Sequence, residues 1–335
     1  MEQIRPTLYM MVGLPGSGKS SFSDNNIHGI TGIKFSSDKL REELFGDAEY
    51  DRNNNTLLFS ELHRRIKTQL LCGKNAIYDA TNINKKKRVA FLRELKSIPC
   101  KKVCIIMATP YQECLKRNRL RLEKGEAGVP GAVIKRMYMN WEPPHKSEGW
   151  DEIHILYPFE NGELSESIIQ RDMIEDMKNI WMPYDQCNSH HRLTLGAHMM
   201  YARDLICKKV TGDSVADQNL RIAAFLHDIG KPFTQTYIKP DGEEDTDAHY
   251  YNHHNVGSYE AMFYVINEMR QNPSADEKRD RDDNILDICN LIFYHMHPYM
   301  SWKQSEAAKE KDRRFLGNEM FNRIMLLHEA DAAAH

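Results

Sequence analysis

Gly13-Leu-Pro-Gly-Ser-Gly-Lys-Ser20 is the stretch that decides the fold of the first half of this chain. It fits G-x-x-x-x-G-K-[ST] at every fixed position. The apolar run Thr7–Val12 precedes it and a helical pattern follows, which is the context the motif requires. The glycines let backbone N–H groups curl around a phosphate, and the helix N-terminus adds positive potential. Gly13, Pro15, Gly16, Ser17 and Gly18 form the cradle, Lys19 reaches the β- and γ-phosphates of ATP, and Ser20 joins the shell of a Mg²⁺ ion.

Outward from this loop the first half alternates. Strand-like runs at Thr7–Val12, Ile33–Phe35, Asn75–Tyr78, Val103–Ala108 and Ile153–Leu156 are separated by helical spacing at Lys39–Phe45, Thr56–Cys72, Lys86–Leu95 and Tyr111–Leu122. That alternation predicts an α/β P-loop NTPase domain with a mostly parallel sheet. Beyond Pro158 the pattern becomes helical, over residues 163–181, 193–210, 216–229, 255–270, 283–296 and 318–334, with no convincing strand. An all-α domain is expected there. The boundaries expected are 1–160 for the first domain, 161–185 for a linker and 186–335 for the second. The charged segments 271–284 and 303–314 read as solvated.

Composition agrees with two ordinary globular domains: 335 residues, 41% hydrophobic and 28% charged. No run reaches the roughly 18 apolar residues of a membrane helix. Seven scattered cysteines form no C-x-x-C pair and suit free thiols in a reducing cytoplasm. Residues 1–160 carry 26 Lys and Arg against 19 Asp and Glu, a balance of +7, while the remainder carries −10. A basic first half suits a polyanionic substrate, although any nucleotide site is basic.

Residues around the loop add chemistry. Asp38, in Ser-Ser-Asp-Lys-Leu-Arg41 just past the second strand, can accept a proton from an attacking hydroxyl. Arg41 shares its helix face and can hold a second phosphate. A helix N-cap with a surface arginine would explain the same pair. Tyr78-Asp79-Ala-Thr81-Asn82 ends a strand, so its polar residues line an acceptor site or cap the next helix. Arg117 and Arg121, four apart on one face, suit a lid that neutralises charge on the transferred phosphoryl group, or a solvated basic face.

Taken as a set, Gly13–Ser20, Ser-Ser-Asp38-x-x-Arg41, Asp79-x-Thr-Asn82, Lys-Arg117-Asn-x-x-Arg121, and Val129-Pro130 followed by Met137-Tyr138 resemble the 5′-hydroxyl polynucleotide kinase domain of phage RNA-repair enzymes. The resemblance implies Asp38 as general base on the 5′-hydroxyl and Arg41 on the acceptor's 3′-side phosphate. It implies Arg121 as the lid arginine, with Asp79 in the acceptor pocket.

The second half contains Phe225-Leu-His227-Asp228-Ile-Gly-Lys231-Pro232. Other candidates stand in order around it: His198, the pair His253-His254, the pair His295 and His297, and Asp331. Imidazole plus carboxylate ligands suit divalent transition metals, and fifteen histidines leave chance clustering open. The series His198, His227-Asp228, His253, His295, Asp331 resembles the HD phosphohydrolase superfamily, which is all-α and metal-dependent. That resemblance implies these six as metal ligands, prefers His253 over His254 and His295 over His297, and places Lys231 on the scissile phosphate. His190-His191 reads as substrate-side or structural.

The two resemblances together are similar to bacterial end-healing enzymes that join an HD phosphohydrolase to a polynucleotide kinase, here in reversed order. They imply an ATP- and Mg²⁺-dependent 5′-hydroxyl kinase plus a 3′-phosphatase or 2′,3′-cyclic phosphodiesterase using Mn, Ni, Co or Fe. Nucleic-acid ends would be the substrates, RNA or DNA, with a ligase as a downstream partner, in the cytoplasm and without a membrane. The alternatives are a nucleotide or metabolite kinase fused to a mononucleotide phosphohydrolase, and an ATP-gated binding module without catalysis.

Overall fold

The structure is a computed structural model that describes residues 5–24, 30–46, 52–160, 163–165, 168, 170–189, 191–271 and 278–334. The chain divides into two compact units, Met1–Ile134 with Pro144–Glu163, and Lys135–Pro143 with Leu164–His335.

The first unit is built on strands β1 (Thr7–Val12), β2 (Ile33–Ser36), β3 (Ala76–Asp79), β4 (Lys101–Met107) and β5 (Glu152–Leu156). They form one sheet in the order β2-β3-β1-β4-β5, every pair parallel. β1 sits at the centre, which explains its unbroken apolar sequence: both faces are covered. Met11, Ile77, Val103 and Ile105 pack with Phe22 into one buried cluster. Because all strands run the same way, their carboxyl ends gather Gly13, Ser37, Ala80 and Ala108 at one edge, where ligands of such sheets bind.

Helices α1 (Lys19–Asp24), α2 (Ser37–Phe45), α3 (Arg52–Leu71), α4 (Lys85–Glu94) and α5 (Tyr111–Glu123) follow the strands. A helix absent from the sequence reading, α6 (Gly131–Met139), comes after them. The caps differ from the alternatives raised above. Ser36, not Asp38, caps α2, and Asn84, not Asn82, caps α4 by accepting from Lys87 N at 3.1 Å. Asp38 and Asn82 are therefore released from capping duty.

The second unit is helical as expected, with long helices at Leu195–Lys209, Val215–Leu226, His253–Gln271, Lys278–Tyr294 and Asn318–Ala333. Three local expectations are corrected. Residues 163–181 are not one helix: Glu163–Leu164 is a strand, and the described helical part starts at Met173 and ends in a π-helical turn at Met177–Trp181. The charged segment 303–314 is solvated as expected, with no buried residue, and is largely a helix, Glu306–Leu316, capped by Ser305. The unit also carries a strand pair, Thr236–Ile238 with Glu244–His249, antiparallel. Glu244-Asp-Thr-Asp lacks the apolar alternation that announces a strand. Part of 161–185 is built into the unit rather than linking to it: Ile168, Met177 and Trp181 are buried. Among the described residues no helix is long and apolar enough to cross a membrane.

Candidate active sites

The loop after β1 is shaped by close approach. Gly16 has φ +82, and a Cβ there would lie 2.5 Å from the Cys114 carbonyl oxygen; Gly18 has φ +93. Only glycine meets both demands. Gly13 N donates to Thr81 O (3.0 Å) and Thr109 Oγ1 donates to Ser17 O (3.0 Å), tying the loop to the ends of β3 and β4. Lys19 is buried and its ammonium donates to the carbonyls of Gly13 (3.1 Å) and Leu14 (2.7 Å). Burial pushes its pKa down, against the attraction of Asp79 and Asp38, while the Arg121 charge pushes the same way as burial. Asp38 and Arg121, far apart in sequence, are thus both within electrostatic reach of Lys19.

Asp79 faces the phosphate-binding loop. Successive strand residues point to opposite faces. Tyr78 turns to His63, which it meets at 3.2 Å, while Asp79 turns to the loop and accepts from Ser20 Oγ at 2.9 Å. Asp79 is buried, with Lys34 Nζ at 3.8 Å. A carboxylate beside the Ser20 hydroxyl is a fitting oxygen donor for Mg²⁺, which prefers carboxylates and phosphate oxygens. Asn82 adopts φ +46, and its amide donates to Met11 O at 2.9 Å. Its own carbonyl accepts from Arg88, whose guanidinium is paired with Glu148 in a fully buried fork (2.7 and 2.8 Å). The turn Asp79–Asn82 is thereby locked from behind.

Asp38 projects into solvent, 88% exposed, and accepts from Arg41 at 3.3 Å; Arg41 also donates to Asn55 at 3.3 Å. Arg117 Nη1 is 3.8 Å from where a Gly18 Cβ would be, and its Nε is held by Glu113 at 2.7 Å.

In the second unit six side chains converge. His198, His227, Asp228 and Asp331 offer ligand atoms within 4.8 Å of one another, and so do Asp228, His253 and His295. Asp228 belongs to both groups and divides its oxygens. Oδ2 faces His198 Nε2 (3.3 Å) and His227 Nε2 (3.5 Å), and Oδ1 faces His253 Nε2 (3.2 Å) and His295 Nε2 (3.6 Å). Each imidazole is oriented by its other nitrogen, which meets a backbone carbonyl: His198 with Ala334, His227 with Ala224, His253 with Tyr250 and His295 with Ile292, at 2.6–3.1 Å. With Nδ1–H donating outward, all four Nε2 atoms could turn lone pairs inward to a bound cation, the arrangement metal-ligating histidines use. All six residues are buried.

The electrostatics also fit cations. Burial opposes charge on His198, yet the Asp228 and Asp331 carboxylates raise it to about 9. Burial likewise opposes charge on both carboxylates, but Lys231 and the imidazoles hold Asp228, and His198 and His227 hold Asp331, well below the usual range. Four inward imidazole nitrogens with one shared and one terminal carboxylate suit two divalent transition metals. His254 lies behind His253, buried, with its ring 5.7 Å from Phe293. His297 packs against Tyr294, Phe293 and Trp302. Neither joins the cluster.

Lys231 Nζ lies 2.7 Å from Asp228 Oδ2, donates to Gln186 Oε1 at 2.6 Å and meets His191 Nε2 at 3.3 Å. His190 lies outside the described residues. The sequence reading missed Gln186, Tyr250 and Tyr299. Tyr299 lines the cleft above the cluster, and Tyr250 lies under the Lys231 ammonium. None stands in a motif, and only the fold brings them there.

Residues 8–144 match the AAA domain family and residues 189–334 match the HD domain family. The chain therefore joins an N-terminal P-loop domain similar to the AAA domain family to a C-terminal HD domain. A curated relative, L-seryl-tRNA(Sec) kinase of Methanococcus maripaludis, is 31% identical over 156 residues, 43% of this chain and 56% of the relative. The chain thus spans about half the length of that relative. Among solved structures, a chain of the Pnkp1/Rnl/Hen1 RNA repair complex is 24% identical with TM-score 0.35, covering 40% of this chain and 43% of that one. A fungal RNA kinase is 14% identical with TM-score 0.33, covering 52% and 44%.

Proposed function

We propose that the protein is a nucleic-acid end-healing enzyme. Its first unit phosphorylates a 5′-hydroxyl with ATP and Mg²⁺; its second removes a 3′-phosphate or opens a 2′,3′-cyclic phosphate with two transition metals. The observation that carries the kinase half is the pairing of Asp38 with Arg41 at 3.3 Å on one helix face, with the Asp38 charge felt at the buried Lys19. Asp38 is open to an incoming acceptor and would take the proton of the attacking hydroxyl. Arg41 would bind the phosphate that follows a 5′-terminal nucleotide, a group that a free nucleoside lacks. Ser20 and Asp79 would hold Mg²⁺, and Arg117 and Arg121 would neutralise the transferred phosphoryl group. The +7 balance of residues 1–160 suits a polyanionic acceptor, and the curated relative is named for a substrate carried on tRNA.

In the second unit a metal pair would supply an activated water and Lewis acidity at the phosphoryl oxygens. Lys231 would pair with the scissile phosphate, with Gln186 and His191 fixing its ammonium. A ligase would be the natural consumer of the 5′-phosphate and 3′-hydroxyl ends so produced.

Two assays test the reading. With ATP and Mg²⁺, a 5′-hydroxyl oligonucleotide should accept phosphate, and Asp38→Ala should abolish transfer. With Mn²⁺, Ni²⁺ or Co²⁺, a 3′-phosphorylated oligonucleotide should release phosphate, and His227→Ala should prevent it. A free nucleoside accepting phosphate far better than the oligonucleotide would instead establish a nucleotide or metabolite kinase.

A further inference from the structure

The cleft over Asp228, Lys231 and Asp331 has a volume of about 450 Å³, far more than a phosphoryl group needs and within the range of small-molecule sites. One part of its lining supplies no metal-ligand side chain. His249, Tyr250 and Tyr251 are consecutive, and all three face the cleft. The His249 and Tyr251 rings are parallel, 11° between planes and 5.4 Å between centroids. Tyr251 is 37% exposed, so its ring stands at the open side.

This aromatic group is held in place. His249 Nε2 is 3.1 Å from Asp245 Oδ2 on the same strand. The Tyr250 hydroxyl donates to the Gln186 carbonyl, and the Lys231 ammonium lies 5.5 Å from the centre of its ring. The three residues then enter a tight turn. His253 N donates to Tyr250 O at 3.3 Å, and Asn252 has φ +61, a left-handed conformation that asparagine tolerates. One four-residue turn therefore fixes the distance between the aromatic edge of the cleft and the ligand His253. A flat, pre-ordered π-surface at a set span from a phosphoester site is what a nucleobase requires, because every base offers a π-face whatever its sequence.

We propose that His249, Tyr250 and Tyr251 form a base-binding rim. The HD cleft then takes a phosphate ester of a nucleoside, its phosphate at the metal cluster and its base stacked on Tyr251. This rests on the phosphohydrolase reading above and narrows it: sugar phosphates without a base would be poor ligands, and all four bases would be accepted.

The test uses the metal-loaded full chain carrying Lys19→Ala, so that the loop Gly13–Ser20 does not compete for ligand. Calorimetry compares a non-hydrolysable nucleoside 3′-phosphonate with the matching abasic ribose phosphonate. The nucleoside compound should bind about tenfold or more tightly, the value of one base–aromatic stack. Tyr251→Ala should erase that preference without weakening the abasic ligand, and Tyr251→Trp should keep it. Equal affinities in the parent protein, or a preference that survives Tyr251→Ala, would overturn the rim. A protein that shows the preference yet hydrolyses neither a 3′-phosphomonoester nor a 2′,3′-cyclic phosphate would sink the phosphohydrolase reading and leave the rim standing.

Discussion

Asp228 Oδ1 lies 3.2 Å from His253 Nε2, while the other oxygen of the same carboxylate faces His198 and His227. One side chain is thus shared between two groups of nitrogen donors, and losses at the two residues should differ in kind. The dialysed protein is expected to hold two divalent metals per chain. His253→Ala should lower that to one, because His198, His227, Asp228 and Asp331 remain. Asp228→Ala should lower it below one, and His254→Ala should leave it at two. Elemental analysis of the purified variants decides this; equal losses in His253→Ala and His254→Ala would contradict the assignment.

The pairing of Ser20 and Asp79 at 2.9 Å gives the kinase site its own prediction. Asp79→Asn removes a negative charge from the position expected to face Mg²⁺, while the amide keeps its size. Phosphoryl transfer should fall by about 10²–10³-fold in kcat, as when one preorganised electrostatic contact is lost. Hydrolysis by the second unit should be unchanged. If Asp79 belonged to the acceptor pocket instead, KM for the acceptor would rise and Mg²⁺ dependence would stay as it was.

These two sites were legible in sequence to different depths. Gly13–Ser20 was readable because strand, loop and helix are contiguous and each residue type has one reason to be there. The HD ligands were readable as a series, but the choice between His253 and His254 needed the fold: only His253 presents Nε2 to Asp228, its Nδ1 resting on Tyr250 O at 2.7 Å. Asp79 was found, but a strand-end motif does not reveal which residue faces the loop. In the fold, Tyr78 turns to His63 and Asp79 to Ser20. Gln186 and Tyr299 carried no signal, because their partners lie 45 and 32 residues away, at Lys231 and Asp331. The strand Glu244–His249 was invisible for a different reason: residues 244–247 are all polar on both faces, so hydropathy resembles a loop.

His63 makes the first unit sensitive to acid. It projects from α3 against α4, its ring 4.1 Å from Phe91, with Nδ1 at 3.3 Å from Glu94 and Nε2 at 3.2 Å from the Tyr78 hydroxyl. Burial lowers its pKa below the ordinary 6.5, and the Glu94 carboxylate only partly offsets this. The unfolded chain therefore binds a proton before the folded one does. The stability this depression contributes is complete above pH 6.5 and is lost as pH falls below it toward the folded value. NMR titration should place the His63 midpoint below that of an unfolded peptide. The fall in Tm between about pH 7.5 and about pH 5.5 should shrink in His63→Gln. A midpoint at or above the peptide value would refute the account.

Gly230 is the position where the metal site is least tolerant of volume. It lies two residues after Asp228, and a Cβ there would fall 2.0 Å from His253 O and 2.6 Å from Gly257 N. Both are backbone atoms of the helix His253–Gln271, so no side-chain rotation relieves the clash. Gly230→Ala must push that helix away from the turn His227–Lys231, carrying His253 from Asp228. Overpacking of this kind typically costs about 1–3 kcal/mol. Here the strain falls directly between two ligands. The variant should lose a metal as His253→Ala does, and its Tm should drop by several degrees. Gly131→Ala provides the contrast, since a Cβ there meets only Leu115 Cδ2, at 4.0 Å. That change should leave both metal content and Tm untouched. A Gly230→Ala protein that retained two metals would mean that the helix and the turn do not meet as closely as the glycine implies.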